Sequence, residues 1–292
     1  MTMHRGITAG LAAAVLLAVT LTAAARAPQP DRAGIVREWV DERARGNVDA
    51  ALARLDGGAW FIDGTCLVSR PCRGPAAVRP ILEQQAAGRT ADAVVYARVF
   101  GSVVVGRLDR RSDALRAAAV RRITYGFIAQ VPEDKLSAWA VLPDLSDATT
   151  VKAELGPGAA PVTAFGDRVS VDRRFADAVT RGDVEGAVNI FTDDGLFVTP
   201  AGCLPVPCAR PEIRGRLRAN AANHAVYTFT NGQTVGSIVI ARFELRADNI
   251  RAKGVERIIN VYIAQVPHRQ IAAWIQFPDL TDPDTVKFFG PY

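Results

Sequence analysis

The stretch IAQVPEDKLSAWAVLPDL, residues 128–145, returns as IAQVPHRQIAAWIQFPDL at residues 263–280. Working outward from it, residues 101–152 laid on 236–287 without a gap give 25 identities in 52 positions. Among them are Ser102/Ser237, Arg107/Arg242, Asp113/Asp248, Trp139/Trp274, Asp144/Asp279 and Lys152/Lys287. Further upstream RGNVDAALARL (45–55) matches RGDVEGAVNIF (181–191), and AWFID (59–63) matches GLFVT (195–199), with one-residue slips around two cysteine loops. The joint GPGAAPVTAFGDRVS (156–170) has the Gly, Pro and small residues of a linker. A period this long means two whole domains and not a solenoid. The expected organisation is a first domain at 31–156, a linker at 157–170 and a second domain at 171–292.

Each copy opens with helical spacing. In the first, Ile35, Val36, Trp39 and Val40 recur at helical intervals, and Asn47 stands where a second helix needs its cap; in the second, Phe175, Ala178 and Val179 precede Asp183 in the same role. A third helix is expected over GPAAVRPILEQQ and RPEIRGRLRANA. The pattern then turns to period two: VVYARVFGSVVVGRLDR, VRRITYGFIAQV and KLSAWAVL read as consecutive strands, with PEDK (132–135) and PHRQ (267–270) as tight links. Three helices followed by a run of strands is an α+β layer, with helices closing over a curved, mostly antiparallel sheet. The PDL motifs at 143–145 and 278–280 read as strand-ending turns in which Asp144 and Asp279 bond local backbone.

The chain has 292 residues, 49% hydrophobic and 22% charged, with a formal charge of +5. Its arginines are interleaved with acids, as in DRRSD, and no basic stripe with stacking aromatics appears, which argues against nucleic acid as a partner. The N-terminal MTMHRGITAGLAAAVLLAVTLTAAARA (1–27) has a basic start, an apolar run and a closing Ala25-Arg26-Ala27, the parts of a secretory signal. An uncleaved anchor is the alternative, since residues 6–25 supply about the 20 apolar residues that span a bilayer. The run's Ala-rich, weakly hydrophobic character favours the signal. Either way the body is expected outside the cytoplasm, secreted or periplasmic, with no membrane contact beyond this segment.

Export decides how the cysteines read. Cys66 and Cys72 in CLVSRPC, and Cys203 and Cys208 in CLPVPC, form two local pairs, and an even count in an oxidising compartment suggests disulfides. Of the three possible pairings, Cys66–Cys72 with Cys203–Cys208 is favoured, because each closes a short Pro-containing loop. Neither the short knuckles of a four-thiolate zinc site nor a CxxC redox motif is present. The three histidines, His4, His224 and His268, assemble no Ser-His, Cys-His or metal site, so no metal and no cofactor is expected.

The RGDxxxAxxxF helix, the strand after it, the loop that ends at a Pro-Cys pair before the third helix, and the late K-L-x-A-W strand together resemble the NTF2-like superfamily, especially its SnoaL-like and ketosteroid-isomerase-like branches. The resemblance covers both copies. It implies two cone-shaped α+β barrels, each with an apolar pocket between helices and sheet, packed as an internal pseudo-dimer. It also implies site residues. Asp63 takes the place of the general-base aspartate of the isomerase-like members, while Trp39 and Phe127 stand where those enzymes keep their oxyanion donors. VVGRLDRR (104–111) is similar to the Arg-x-Asp strand of limonene-epoxide-hydrolase-like enzymes, which puts Arg107 and Asp109 in the roles of bridging arginine and acid. Val141 then occupies the place of the water-activating aspartate, with Phe61 and Asp63 where Tyr and Asn would hold the water. In the second copy the same places read Arg242, Glu244, Gln276, Phe197 and Thr199.

The catalytic candidates are therefore Asp63, Arg107 and Asp109. The expected pocket walls are Trp39, Phe61, Trp139 and Val141 in the first copy, and Phe175, Phe197, Arg242, Glu244, Trp274 and Gln276 in the second. Against these stand plainer roles: an ion pair that only holds the sheet for Arg107–Asp109, a loop-capping carboxylate for Asp63, and core packing for Trp139 and Trp274. The leading expectation is a protein that binds a small apolar molecule without a complete catalytic set. The alternatives are a cofactor-independent hydrolase or isomerase acting through the first copy, and a structural or partner-binding module.

Overall fold

The duplicated pattern folds into two α+β halves in the computed structural model, which describes residues 30–162 and 167–290. The expected leader at 1–27 and part of the joint lie outside the described residues. The first half runs α1 (Arg32–Ala44), α2 (Val48–Ala53), β1 (Leu55–Ile62), β2 (Cys72–Arg73), α3 (Gly74–Ala87), β3 (Ala91–Phe100), β4 (Val103–Arg111), α4 (Asp113–Ala117), β5 (Ile123–Gln130), β6 (Leu136–Pro143) and α5 (Ala148–Leu155). The second repeats it as α6 (Val169–Thr180), α7 (Val184–Val188), β7 (Phe191–Val198), α8 (Arg210–Ala222), β8 (Val226–Val235), β9 (Ile238–Arg246), α9 (Asp248–Arg251), β10 (Ile258–Gln265), β11 (Ile271–Pro278) and α10 (Pro283–Phe289). The sheets are ordered β2-β1-β6-β5-β4-β3 and β7-β11-β10-β9-β8. All neighbours are antiparallel except β1 with β6 and β7 with β11, so each sheet is mixed.

Local chemistry sets the ends of these elements. Asp31 and Asp183 cap α1 and α7 by accepting from the backbone N–H of Gly34 and Gly186, both at 2.9 Å. Asn47 does not cap α2 as its position suggests: its side-chain amide donates to Glu42 at 2.6 Å instead. The disulfides Cys66–Cys72 and Cys203–Cys208 form as expected, with Cα separations of 5.4 and 5.1 Å, and each closes the loop between the first long strand and the third helix of its half.

Each half buries one sheet face under its own helices. Val104, Leu108, Tyr125, Phe127 and Ala129 meet Val36, Trp39, Val40, Val78 and Leu82 in the first half, and Val239, Phe243, Tyr262 and Trp274 meet Phe175, Val179, Ile213 and Leu217 in the second. The opposite faces do not go to water. Val103, Val105, Ile128, Ala138, Ala140 and Leu142 of one sheet form a third apolar cluster with Ile238, Ile240, Val261, Ile263, Ala273, Ile275 and Phe277 of the other. This explains why ITYGFIAQ and IINVYIAQ read as apolar runs without clean alternation, since strands buried on both faces have no polar side to show.

The duplicated phrase lies at this junction. The hairpin turn Gly101-Ser102 between β3 and β4 docks on the second PDL segment: Asp279 Oδ1 accepts from Ser102 N at 3.0 Å, and Ser102 Oγ accepts from Leu280 N at 2.7 Å. The reciprocal set is present, with Ser237 N on Asp144 Oδ1 at 2.9 Å and Leu145 N on Ser237 Oγ at 2.7 Å. Gln130 and Gln265 each donate to the carbonyl of the other half's PDL proline, Pro278 and Pro143, at 2.9 Å. Asp144 and Asp279 also make the local turn bonds expected of them, to Ser146 N and Thr281 N. Gly101 sits at φ +58°, and a Cβ there would lie 1.9 Å from the Asp279 carboxylate, so both the turn and the docking require glycine.

The junction is not perfectly symmetric. Gly126 on β5 stands where β10 has Val261, and Ile238 fills the space it leaves, 2.8 Å from where a Cβ would be. Gly126→Val is therefore expected to lower stability by about 1–3 kcal/mol through overpacking. Ile238→Ala added to it should restore part of that loss, so the two changes will couple rather than add in a urea-unfolding double-mutant cycle.

Candidate functional site

The interior of the first half holds four charges. Asp63, at the end of β1, accepts two bonds from Arg110 on β4, Nη1 to Oδ1 at 2.7 Å and Nη2 to Oδ2 at 2.8 Å. Arg43, in the last turn of α1, adds a third at 2.7 Å, and Trp139 Nε1 a fourth at 3.3 Å. Arg110 also grips Asp92 on β3 through Nε at 2.7 Å and Nη2 at 2.9 Å, while Arg43 lies 3.4 Å from the same carboxylate. All four side chains are buried. The guanidinium of Arg43 lies over Trp39 at 4.4 Å and that of Arg110 over Tyr125 at 4.9 Å, so the cations sit on aromatic faces as well as against carboxylates.

This arrangement works against Asp63 as a base. Burial alone would raise its pKa, but the attraction and hydrogen bonds of Arg110 and Arg43 outweigh burial and hold the carboxyl well below the ordinary range. A general base must be free to take a proton near neutral pH. Nor does Asp63 cap its loop through the side chain; only its backbone carbonyl accepts from Cys66 N, at 3.2 Å.

Arg107 and Asp109 are not brought to Asp63. Strand alternation puts Leu108 and Arg110 on the inner face of β4, so Arg107 and Asp109 share the outer face with Val103 and Val105. There Arg107 lies 3.5 Å from Asp109, Asp109 also pairs with Arg122, and Thr124 bonds both. The site expected of the three residues is thus two separate ion clusters, one inside and one on an open outer surface. The same parity corrects the second half. Arg242 shares the outward face with Ile238 and Ile240 in place of the pocket, and Glu244 sits 3.6 Å from Arg246 and 3.9 Å from Arg257. Of the first half's expected walls, Trp39, Phe61, Trp139 and Val141 do face the interior, packed in one core, with the three aromatic rings close to the Arg43 guanidinium.

In the second half the four charges have neutral counterparts: Val179 for Arg43, Thr199 for Asp63, Tyr227 for Asp92 and Leu245 for Arg110. A cavity of about 130 Å³ is found there, walled by Phe175, Phe191, Phe197, Tyr227, Phe288 and Phe289 among others, with Arg216, Asn220, Asn260 and Gln276 as polar members. Phe175, Phe197 and Gln276 are where the sequence puts them. Trp274 lies one layer behind, donating to Gln276 Oε1 at 2.9 Å and stacking on Tyr262 at 3.8 Å.

A second polar pair escapes the sequence reading altogether. Asp172 on α6 is fully buried and accepts from Tyr262 Oη at 2.8 Å, where the first half has Val36 and Phe127. Its Oδ1 has no partner among the described residues. Burial pushes the Asp172 carboxyl up to about 8, against the opposing effect of the Tyr262 bond, and raises Tyr262 well above its ordinary value. A polar Asp in an otherwise apolar helical face, one turn before Phe175, is the signal that could have found it.

No protein-family model matches this chain, and no curated protein matches it. Among solved structures the likeness is to NTF2-like proteins. An NTF2-like protein of unknown function from Cytophaga hutchinsonii is 11% identical over 40% of this chain and 93% of its own, with a TM-score of 0.32. An LEH-like epoxide hydrolase from M. tuberculosis is 12% identical over 42% and 88%, with a TM-score of 0.34. A putative ketosteroid isomerase from Kribbella flavida is 17% identical over 38% and 77%, with a TM-score of 0.31.

Two measurements check the electrostatics. Arg110→Met leaves Asp63 and Asp92 buried with Arg43 alone and should cost about 3–5 kcal/mol, whereas Arg107→Met, at a partly exposed pair, should cost about 1 kcal/mol or less in the same denaturation experiment. Folded Asp172 keeps its proton between 3.8 and about 8, where the unfolded chain has lost it. Its contribution to stability is therefore full below the lower value and lost as pH rises through the upper one. Asp172→Asn should gain on the wild type across that window by up to about 1.4 kcal/mol per pH unit, read from unfolding curves at a series of pH values.

Proposed function

We propose that this is an exported binding protein for a small, largely apolar molecule, with its two halves packed as an internal pseudo-dimer and its ligand site in the interior of the second half. The observation that carries this reading is the contrast between two interiors of one ancestry. The first is filled by Asp63, Arg110, Asp92 and Arg43, each answered by the others. The second keeps a cavity lined mainly by aromatic and aliphatic side chains with a few polar groups, the usual make-up of a small-molecule site.

The first half then acts as a scaffold. Its buried carboxylates are each held by arginines, and although Arg43 Nε and Nη1 find no hydrogen-bond partner among the described residues, a guanidinium does not give up its proton, which weighs against the hydrolase and isomerase readings. Reciprocal bonds through Ser102, Asp279, Ser237 and Asp144 support the pseudo-dimer. Two disulfides and the leader-like start of the sequence support export to an oxidising compartment.

The test uses the purified full chain with benzene-sized neutral probes such as toluene, indole and cyclohexanol. We expect each to raise the thermal midpoint in proportion to the logarithm of its concentration, and to give intermolecular NMR contacts to the ring protons of Phe197 and Phe288. Probes that neither shift the midpoint nor contact those rings would sink the reading.

A further inference from the structure

Arg216 is the one polar wall of the cavity with an unmet charge. It projects from α8, is half-buried, and forms no ion pair or hydrogen bond through its side chain with any described residue, although it lines the aromatic cavity. Its neighbours on the same helix are answered: Arg210 pairs with Asp193 and bonds Asn189 at 2.9 Å, and Arg214 holds Glu185 at 2.9 Å. A partly desolvated guanidinium without a counter-charge is unfavourable unless something supplies one.

The surroundings are shaped to this head group. Gly202, in the loop next to the Cys203–Cys208 disulfide, has φ +102°, and a Cβ there would lie 2.8 Å from Arg216 Nη1. The loop therefore passes over the guanidinium with a residue that has no side chain. Beside it, the Tyr227 hydroxyl accepts from Asn220 Nδ2 at 3.1 Å, and its own proton has no acceptor among the described residues. The charge of Arg216 acts on this same phenol.

Internal comparison shows what is missing. In the first half the interior arginines are matched by carboxylates of the chain itself, Asp63 and Asp92. In the second, Thr199 and Tyr227 stand at those two places, and an interior arginine has entered from another helix.

We propose that the second interior takes a small monocarboxylate with an aromatic or compact aliphatic body, its carboxylate bound by Arg216 and the Tyr227 hydroxyl and its body among Phe175, Phe197 and Phe288. This rests on the binding reading above and specifies its ligand class. One guanidinium and one phenol match a single negative charge, and planar carboxylate oxygens suit the forked donors of arginine. A cavity of about 130 Å³ suits a body of about one ring.

Isothermal titration and ligand-observed NMR of the full chain with benzoate, benzamide, toluene and phenyl phosphate decide the matter. Benzoate should bind at least about tenfold more tightly than benzamide, as a charge-assisted bond adds over a neutral one, and phenyl phosphate should bind less well than benzoate. Arg216→Met should abolish the preference for benzoate while leaving benzamide and toluene within about twofold. Arg216→Lys should keep part of the preference, and the exposed Arg218→Met should change nothing. If benzoate and benzamide bind equally to the wild type, or if Arg216→Met leaves their ratio intact, the carboxylate assignment is overturned while the apolar site stands. If toluene and benzamide also fail to bind, both readings fall.

Discussion

The structure depends on two sheets sharing one apolar layer between them. A sheet covered by helices on one face has the other face to dispose of, and here each half gives that face to its twin. Everything else follows from this constraint. The central strands are buried on both sides, the hairpin turns become docking elements, and the interiors under the helices are turned away from each other, to opposite sides of the shared layer. Two reciprocal sets of contacts fix the register of that layer: the Ser102 and Ser237 backbone N–H groups donate to the Asp279 and Asp144 carboxylates, and the serine hydroxyls accept from Leu280 N and Leu145 N. An apolar layer alone is non-directional, so the polar contacts at its margins supply the specificity.

Because the interiors are separate, they have been free to diverge in polarity. The first carries Arg43, Asp63, Asp92 and Arg110 over a framework of Val36 and Phe127. The second carries Val179, Thr199, Tyr227 and Leu245 over a framework that includes Asp172 and Tyr262. The exchange follows the rule for buried charge: ions enter an apolar interior as a matched set, or stay neutral. Asp172 obeys the second clause, kept uncharged by burial, and the four ions obey the first.

The architecture was legible because the repeat is long and its period-two and helical stretches are clear. The duplicated phrase with its Gln, Asp and Ser partners marked a shared scaffold, though one sequence offers no way to see that the shared residues face each other across a junction. The site was less legible, and for a definite reason. RLDRR offers three arginines and one acid within one strand, and which of them points inward is decided by one step of register. Leu108, apolar between two charges, was the available clue that its parity, and hence that of Arg110, is the buried one. The partners Arg43 and Asp92 lie far from Asp63 along the chain and become neighbours only when α1 and β3 close over the sheet. Asp172 and Tyr262 likewise meet across 90 positions.

The joint between the halves adds a consequence of its own. One chain supplies both halves, and Val162 N bonds back to Leu145 O at 2.8 Å beside the docked PDL turn. Separate subunits would hold the shared layer only while their concentration exceeded their dissociation constant. A tether replaces that condition with a fixed local concentration, about millimolar for a short flexible link. The paired arrangement is thereby insensitive to dilution, and a single molecule, however far from the next, keeps its two unlike interiors in the same fixed relation.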